Sequence, residues 1–208
     1  MAGTTLLLAT SAAHAGWSDQ LYLDLRGGVS LAQDADVHED AFGLGNGGKV
    51  KFDTGFRASL ALGYKITPEF AVELEGGDIR NTINAIGFNS LSPFGASADL
   101  NQVPLIASVI YEPWHGAFKP YIGVGAGGVA GIFHGSNFPT EPSFSDTDYV
   151  FAYQATVGIK YAVCRHAELG LAYEFLGTTD NNWSDNGVSF KTDGVMTHSF
   201  SASLTWRF

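Results

Sequence analysis

Two short segments of the sequence hold residue types that could do chemistry, and the first is His-Gly-Ser-Asn at 134–137. A histidine that accepts the proton of a serine hydroxyl makes its oxygen a nucleophile, so His134 and Ser136 could support ester hydrolysis. Such a pair needs an acidic partner, and the sequence leaves three candidates open: Glu141, Asp146 and Asp148. Because four residues of these types match easily by chance, the competing interpretation is a solvated loop. We predict no catalytic residue.

The second segment is the acidic run Asp34-Ala-Asp-Val-His-Glu-Asp40. Carboxylates at this density could coordinate Ca²⁺ or share divalent ions with phosphate groups. The run lacks the glycine-centred spacing of a calcium loop, and acidic loop tips are usually solvated. No phosphate-cradling loop, zinc spacing or dinucleotide fingerprint occurs in the sequence. We therefore predict no metal site and no cofactor.

The elements that hold these segments have the alternation of β-strands, which is clearest in residues 195–208. A strand with one apolar face, one polar face and a terminal aromatic residue is typical of the last strand of a transmembrane β-barrel. His198 interrupts the apolar face. The apolar face otherwise holds Met196, Phe200, Ala202, Leu204, Trp206 and Phe208, and the polar face holds Thr197, Ser199, Ser201, Ser203, Thr205 and Arg207.

The N-terminal residues indicate export. Residues 4–15 form a short apolar run that ends in Ala13-His14-Ala15, a small-x-small cleavage pattern, so we expect a signal peptide at 1–15 and one mature domain at 16–208. No Lys or Arg precedes Arg26, and we therefore expect the recorded start to lie within a longer signal. Because no apolar stretch reaches the roughly 20 residues of a membrane helix, insertion into a membrane must use strands.

Composition agrees with many short strands. The chain has 26 glycines and 13% aromatic residues but only 15% charged residues. Its net charge of −10 argues against a nucleic-acid partner. Cys164 is the only cysteine, so no internal disulfide can form.

A period of two residues predicts eight strands of an up-and-down antiparallel barrel. Short turns join the second to the third, the fourth to the fifth and the sixth to the seventh strand, whereas long polar segments at 33–51, 81–98, 134–148 and 178–194 make the other connections. This asymmetry predicts turns in the periplasm and four loops outside the cell. The predicted strands are 20–32, 52–66, 69–80, 99–111, 119–133, 149–163, 166–177 and 195–208.

Charged residues fall on the inward face of these strands. An eight-stranded barrel is only wide enough for its side chains, so we expect the charges to pair and plug the lumen; a gated or proton-conducting path is the alternative. The fourth and fifth strands have two apolar or glycine faces, which leaves their orientation open. The inward bases are Arg26, Arg57, Lys65, Lys160 and Arg207, and the inward acids are Asp24, Asp53, Glu73, Glu75, Glu168 and Glu174.

Within this set we predict a network in which four bases meet three acids within salt-bridge distance. The bases are Arg26, Arg57, Lys160 and Arg207, and the acids are Glu73, Glu75 and Glu174. We expect Asp24 to belong to the same network.

The segment Lys119-Pro-Tyr-Ile-Gly-Val-Gly-Ala-Gly-Gly-Val-Ala-Gly131 resembles the Pro-Tyr-x-Gly-x-Gly-x-Gly strand of the outer-membrane β-barrel-domain family. That family includes opacity-protein-like surface antigens and small porin-like proteins. Tyr22 to Arg26, Gly63-Tyr64 and Trp206-Arg207-Phe208 resemble it too. The final strand also resembles the signal that the outer-membrane assembly machinery reads, and this resemblance assigns Phe200, Leu204, Trp206 and Phe208 to assembly.

The resemblance implies a non-enzymatic protein of the bacterial outer membrane, a monomer with a structural or surface-interaction role through its loops. Its partners would be outer-membrane lipid and lipopolysaccharide, the assembly machinery and an extracellular ligand that the sequence does not identify. A small porin is the main alternative. A lipid A-modifying hydrolase is the other, because residues 134–137 resemble the His-x-Ser-Asn element of outer-membrane lipid A deacylases, with His134 activating Ser136.

Overall fold

The computed structural model of the chain describes residues 20–33, 35–37, 48–88, 91–94, 97–136, 143–185, 188–192 and 194–208. The predicted signal peptide at 1–15 lies outside them. None of these residues forms a helix long and apolar enough to cross a membrane. Their strands are β1 (Leu21–Ala32), β2 (Ala35–Val37), β3 (Gly48–Phe52), β4 (Thr54–Lys65), β5 (Phe70–Phe88), β6 (Leu91–Phe94), β7 (Ser97–Tyr111), β8 (Phe118–Ser136), β9 (Ser143–Ala162), β10 (Ala167–Thr178), β11 (Asn181–Asp185), β12 (Val188–Thr192) and β13 (Met196–Arg207).

Eight of these strands close into an antiparallel barrel, which confirms the predicted fold. The ring runs β5-β4-β1-β13-β10-β9-β8-β7 and returns from β7 to β5. Strands β1 and β13, at the two ends of the described chain, pair from Tyr22↔Arg207 to Ala32↔Thr197 and close the ring. Each strand of the ring is therefore hydrogen-bonded to one neighbour on each side, and the ring has no free edge.

The pairing register fixes the width of the barrel. When paired residues are followed from strand to strand around the ring, the path that starts at Tyr22 of β1 ends at Ala32 of the same strand. The two positions are ten residues apart, and this offset is the stagger of the barrel. With roughly 3.3 Å per residue and roughly 4.8 Å between strands, this stagger gives a tilt of about 40° and a backbone radius of about 8 Å. A barrel of this size has an interior that side chains can fill.

Two features of the strands differ from the prediction. Strands β5, β8 and β9 extend further than expected, into the predicted loops at 81–98 and 134–148. The short strands β2, β3, β6, β11 and β12 also lie in segments predicted as loops. These extensions are polar and rich in Gly, Ser and Asn, so they pair through backbone groups without the alternation that marks a half-buried strand. The short turns at 66–69, 112–117 and 163–166 agree with the prediction.

The two faces of the barrel differ as predicted. On β10, for example, Leu169 and Leu171 are exposed while Glu168 and Glu174 are buried. The structure also settles the orientation of the two strands with ambiguous faces, β7 and β8. Their inward apolar residues are Ile106, Ile110, Tyr121 and Val129, and their outward ones are Leu105, Val109, Ile122 and Val124.

Aromatic side chains form two rows on the outer wall. Tyr64 and Phe56 are eight positions apart on β4, and Tyr161 and Tyr153 are eight apart on β9, which corresponds to about 20 Å along the barrel axis. That spacing suits an apolar band of about 25 Å flanked by aromatic girdles. The row near the short turns contains Tyr64, Phe70, Tyr111, Phe118, Tyr161 and Trp206, and the row near the long loops contains Phe56, Phe151, Tyr153, Phe175 and Phe200.

Candidate functional site: the lumen charge network

The middle of the lumen holds a group of ionic side chains, which we call the central cluster. Arg26 is its hub, because its guanidinium contacts four carboxylates. It donates to Asp24 at 2.8 Å and to Glu73 at 2.6 Å. It also donates to Glu75 at 3.0 Å and to Glu174 at 3.3 Å. The members of the central cluster are Asp24, Arg26, Arg57, Glu73, Glu75, Lys160 and Glu174, and each of these side chains is at most 3% exposed.

The second arginine of the central cluster is less completely bonded. Arg57 Nη2 donates to Glu75 at 2.5 Å and to Gln154 at 3.1 Å, and Arg57 Nε lies 3.4 Å from Glu174 Oε2. Its Nε and Nη1 atoms are buried without a hydrogen-bond partner. Arg57 therefore depends on Coulomb attraction to the shared carboxylates more than Arg26 does.

The lysine of the central cluster lies between two aromatic rings. Lys160 Nζ is 3.6 Å from Asp24 and about 5 Å from the ring centroids of Tyr22 and Tyr121, at 5.2 and 5.0 Å. Such cation–π contacts stabilise a cation that has left water. The Tyr121 ring itself is accommodated by Gly158 on β9, because a Cβ atom there would overlap the ring. The glycine thus makes room for the aromatic side chain that covers Lys160.

A second ionic group lies at the end of the lumen with the short turns, and we call it the mouth cluster. Arg207 Nη2 lies 3.0 Å from Glu168 and 3.8 Å from Glu112. Lys119 bonds Glu168 at 2.6 Å, and Lys65 bonds Glu112 at 2.9 Å. Its cations are partly open to solvent, with 15–22% of each side chain exposed. The members of the mouth cluster are Lys65, Glu112, Lys119, Glu168 and Arg207.

The structure corrects three expectations about these charges. Arg207 does not meet Glu73, Glu75 or Glu174, because Glu174 pairs with Ser199 in the β10–β13 ladder, eight positions from Arg207. Lys160 has Asp24, not one of the three glutamates, as its ion-pair partner among the described residues. Asp53, which was expected to face the lumen with the buried charges, is exposed in the segment between β3 and β4.

Sequence reasoning missed two charged members of the lumen. Lys119 was not assigned to the lumen because the two faces of its strand could not be told apart. It lies two residues from the inward Tyr121 and therefore faces the same side of β8. Glu112 lies in a predicted turn, where an acid is expected to be solvated, yet it is 5% exposed. With both included, the two clusters contain six cations and six carboxylates among the described residues.

Apolar layers lie on both sides of the central cluster. Towards the long loops, Ile79 is four residues beyond Glu75 on β5, and Leu176 is two residues beyond Glu174 on β10. Towards the short turns, Tyr22 is two residues before Asp24 on β1. We call the first group the upper layer and the second the lower layer. The upper layer contains Ile79, Ile106, Val129, Ala152 and Leu176, and the lower layer contains Tyr22, Ala71, Ile110, Tyr121 and Ala172.

The histidine on the apolar face of the last strand has polar partners. His198 Nδ1 lies 2.6 Å from the Tyr173 hydroxyl, and its Nε2 lies 2.8 Å from Gln33 Nε2. The same ring packs against Phe175 at a centroid distance of 5.3 Å. Both ring nitrogens are therefore hydrogen-bonded, and this explains how an imidazole is tolerated on the outer wall.

The two segments that could do chemistry have different outcomes. His134 and Ser136 lie inside strand β8, so their predicted place in a loop is wrong. In the backbone register His134 pairs with Ser145 on β9 and with Asp99 on β7, whereas Asp146 and Asp148 pair with Phe133 and Gly131. Asn137 and Glu141 lie outside the described residues, as do Asp34, His38, Glu39 and Asp40 of the acidic run. No group of metal-ligating side chains occurs among the residues that the structure describes.

The closed barrel, its apolar outer wall and its polar interior define an integral outer-membrane β-barrel protein. The family model of the outer membrane protein beta-barrel domain matches residues 2–208. The chain therefore belongs to this family and is a protein of the bacterial outer membrane, as the sequence resemblance predicted. No curated protein sequence matches it significantly.

Solved structures of outer-membrane proteins share the fold. OprG from Pseudomonas aeruginosa is 17% identical with a TM-score of 0.61, over 93% of this chain and 99% of that one. Neisserial surface protein A is 16% identical with a TM-score of 0.57, over 90% of this chain and 97% of that one. The outer membrane protease OmpT from Escherichia coli is 10% identical with a TM-score of 0.57, over 92% of this chain and 97% of that one. At these identities the likeness shows the fold alone.

Proposed function

We propose that this protein is a non-enzymatic outer-membrane barrel with a closed lumen, which acts through its extracellular loops as a structural or surface-interaction protein. The observation that carries the proposal is the ion cluster held between two apolar layers. Every residue of the upper layer is at most 1% exposed, and Tyr22 and Tyr121 below are 3% and 1% exposed. A pore that passed water and ions would leave some of these side chains in contact with solvent.

Electrostatics supports the same proposal. Removing a buried charge from its partners costs several kcal/mol, so an ion that entered the lumen would have to separate pairs such as Arg26–Glu73. A charged ring that selects ions carries one sign of charge. The lumen clusters instead contain equal numbers of cations and carboxylates among the described residues, which favours internal neutralisation over ion conduction.

Planar-bilayer recording tests the closed lumen against the porin alternative. We expect the refolded protein to show no steady conductance above that of protein-free bilayers, because the central cluster and both apolar layers block the axis. Heat-modifiable gel mobility of the same sample verifies folding. A steady single-channel current from the unmodified protein would replace this proposal with the porin.

Cysteine labelling tests the orientation on which the loop function depends. Cys164 is exposed in the short turn at 163–166, and Ser145 lies at the opposite end of β9. In intact cells we expect a membrane-impermeant maleimide to label Ser145→Cys in a Cys164→Ser background but not Cys164 itself. Cys164 should react after the outer membrane is opened, which controls for its reactivity. Labelling of Cys164 alone in intact cells would invert the topology.

A further inference from the structure

One charged pair stands on the lipid-facing wall of the barrel. Asp78 and Arg80 are outward-facing residues of β5, and the Arg80 Nε atom donates to Asp78 at 2.8 Å. None of the other outward side chains that the structure describes on the barrel strands is Asp, Glu, Lys or Arg. An ion pair on an otherwise apolar wall is not explained by stability, since a surface ion pair contributes little.

The height of the pair on the wall indicates what it contacts. Arg80 pairs with Phe56 in the β4–β5 ladder, and Phe56 belongs to the aromatic row near the long loops. At the level of an aromatic girdle a side chain meets lipid headgroups, and an arginine is tolerated far better there than at the bilayer midplane. In the orientation proposed above, this level is the headgroup region of the outer leaflet.

We propose that Arg80 binds a phosphate group of an outer-leaflet glycolipid, the phosphorylated disaccharide end of lipopolysaccharide. The Arg80 side chain is 72% exposed, whereas Asp78 is 36% exposed and lies against Nε. The carboxylate holds the guanidinium plane in one orientation, and neither Nη group has a hydrogen-bond partner among the described residues, so both can donate to a ligand. A planar guanidinium donates two parallel hydrogen bonds to phosphate, which a lysine in the same place would not do.

The asymmetry of the wall supports a lipid of one leaflet. The aromatic row near the short turns has no outward charged side chain among the residues described on the barrel strands. Arg165, the exposed cation at that end, lies in the turn at 163–166 and not on the wall. A cation on the wall at one girdle only suits a membrane whose two leaflets differ in headgroup charge.

Native mass spectrometry of the refolded protein with lipid A in detergent tests the site. We expect Arg80→Gln to weaken binding of bisphosphorylated lipid A roughly tenfold, because two charge-assisted hydrogen bonds are lost, and to leave binding of dephosphorylated lipid A unchanged. Arg165→Gln removes the same charge from an exposed site and should leave both affinities unchanged. Heat-modifiable mobility verifies that each variant is folded.

Three results would overturn the site. The first is equal affinity of the unmodified protein and Arg80→Gln for bisphosphorylated lipid A. The second is an equal loss in Arg165→Gln, which would indicate net charge alone. The third is binding of inorganic phosphate that depends on Arg80 without preference for the phosphorylated lipid, since the ligand would then be a free anion. The site is tested in detergent, so its failure is distinct from an inverted topology, which the cysteine labelling detects.

Discussion

Deleting Phe208 is expected to leave the protein unassembled in the periplasm while its refolding into detergent still succeeds. Phe208 follows the last residue of β13, and its side chain is 50% exposed on the outer wall. Its backbone N–H donates to the Leu21 carbonyl at 3.3 Å, so the deletion removes one long hydrogen bond from the closing pair of strands. A net loss of about 0.5–1.5 kcal/mol is small for a barrel with eight paired strands. A large effect in cells therefore requires recognition of the residue during assembly.

Fractionation and refolding measure the two halves of this prediction. The truncated protein should appear in the periplasmic fraction and migrate as unfolded protein without heating, whereas the purified chain should regain heat-modifiable mobility in detergent. Phe208→Tyr keeps an aromatic end and should assemble normally. Normal assembly of the truncated protein in cells would contradict the prediction, and failure of both assembly and refolding would make Phe208 a structural residue.

The fold could be predicted because a barrel in a bilayer imposes one rule on every strand. Lipid outside and a narrow lumen inside force apolar and polar residues to alternate, as Leu204, Thr205 and Trp206 do on β13. The short turns could also be predicted, since turn-forming residues such as Pro68 interrupt the alternation where one strand ends and the next begins. Beyond the membrane this rule ends, which is why the upper parts of β5, β8 and β9 were mistaken for loops.

The partners inside the lumen could be predicted only in part. The alternation of inward and outward residues along each strand shows that Arg26, Glu73 and Glu75 point inward. The distances between these side chains depend on the ten-residue stagger of the closed ring. The same stagger brings Glu168 to Thr205, beside Arg207, and leaves Glu174 far from it. Since the stagger is a property of all eight pairings together, no single strand in the sequence reveals it.

Replacing Arg26 with methionine is expected to lower the free energy of unfolding by about 3–5 kcal/mol, the cost of removing one partner from a buried ion pair. Four carboxylates lose a cation in this variant, and Glu73 loses its only ion-pair partner among the described residues. Methionine occupies a similar length but carries no charge, so Glu73 is left in the lumen without a cation, while Asp24 keeps Lys160 and Glu75 and Glu174 keep Arg57. Urea titration of the protein folded into lipid vesicles measures the change.

Two matched arginines show whether the loss comes from the central cluster. Arg57→Met should cost less than Arg26→Met, because Arg57 Nε and Nη1 have no hydrogen bond to lose. Arg165→Met, in an exposed turn, should stay within about 0.5 kcal/mol of the unmodified protein. Adding Glu73→Gln to Arg26→Met should recover part of the stability, since it removes one of the unpaired charges. If Arg26→Met unfolds at the same urea concentration as Arg165→Met, the carboxylates do not depend on Arg26, and the account of the lumen as a mutually neutralised core fails.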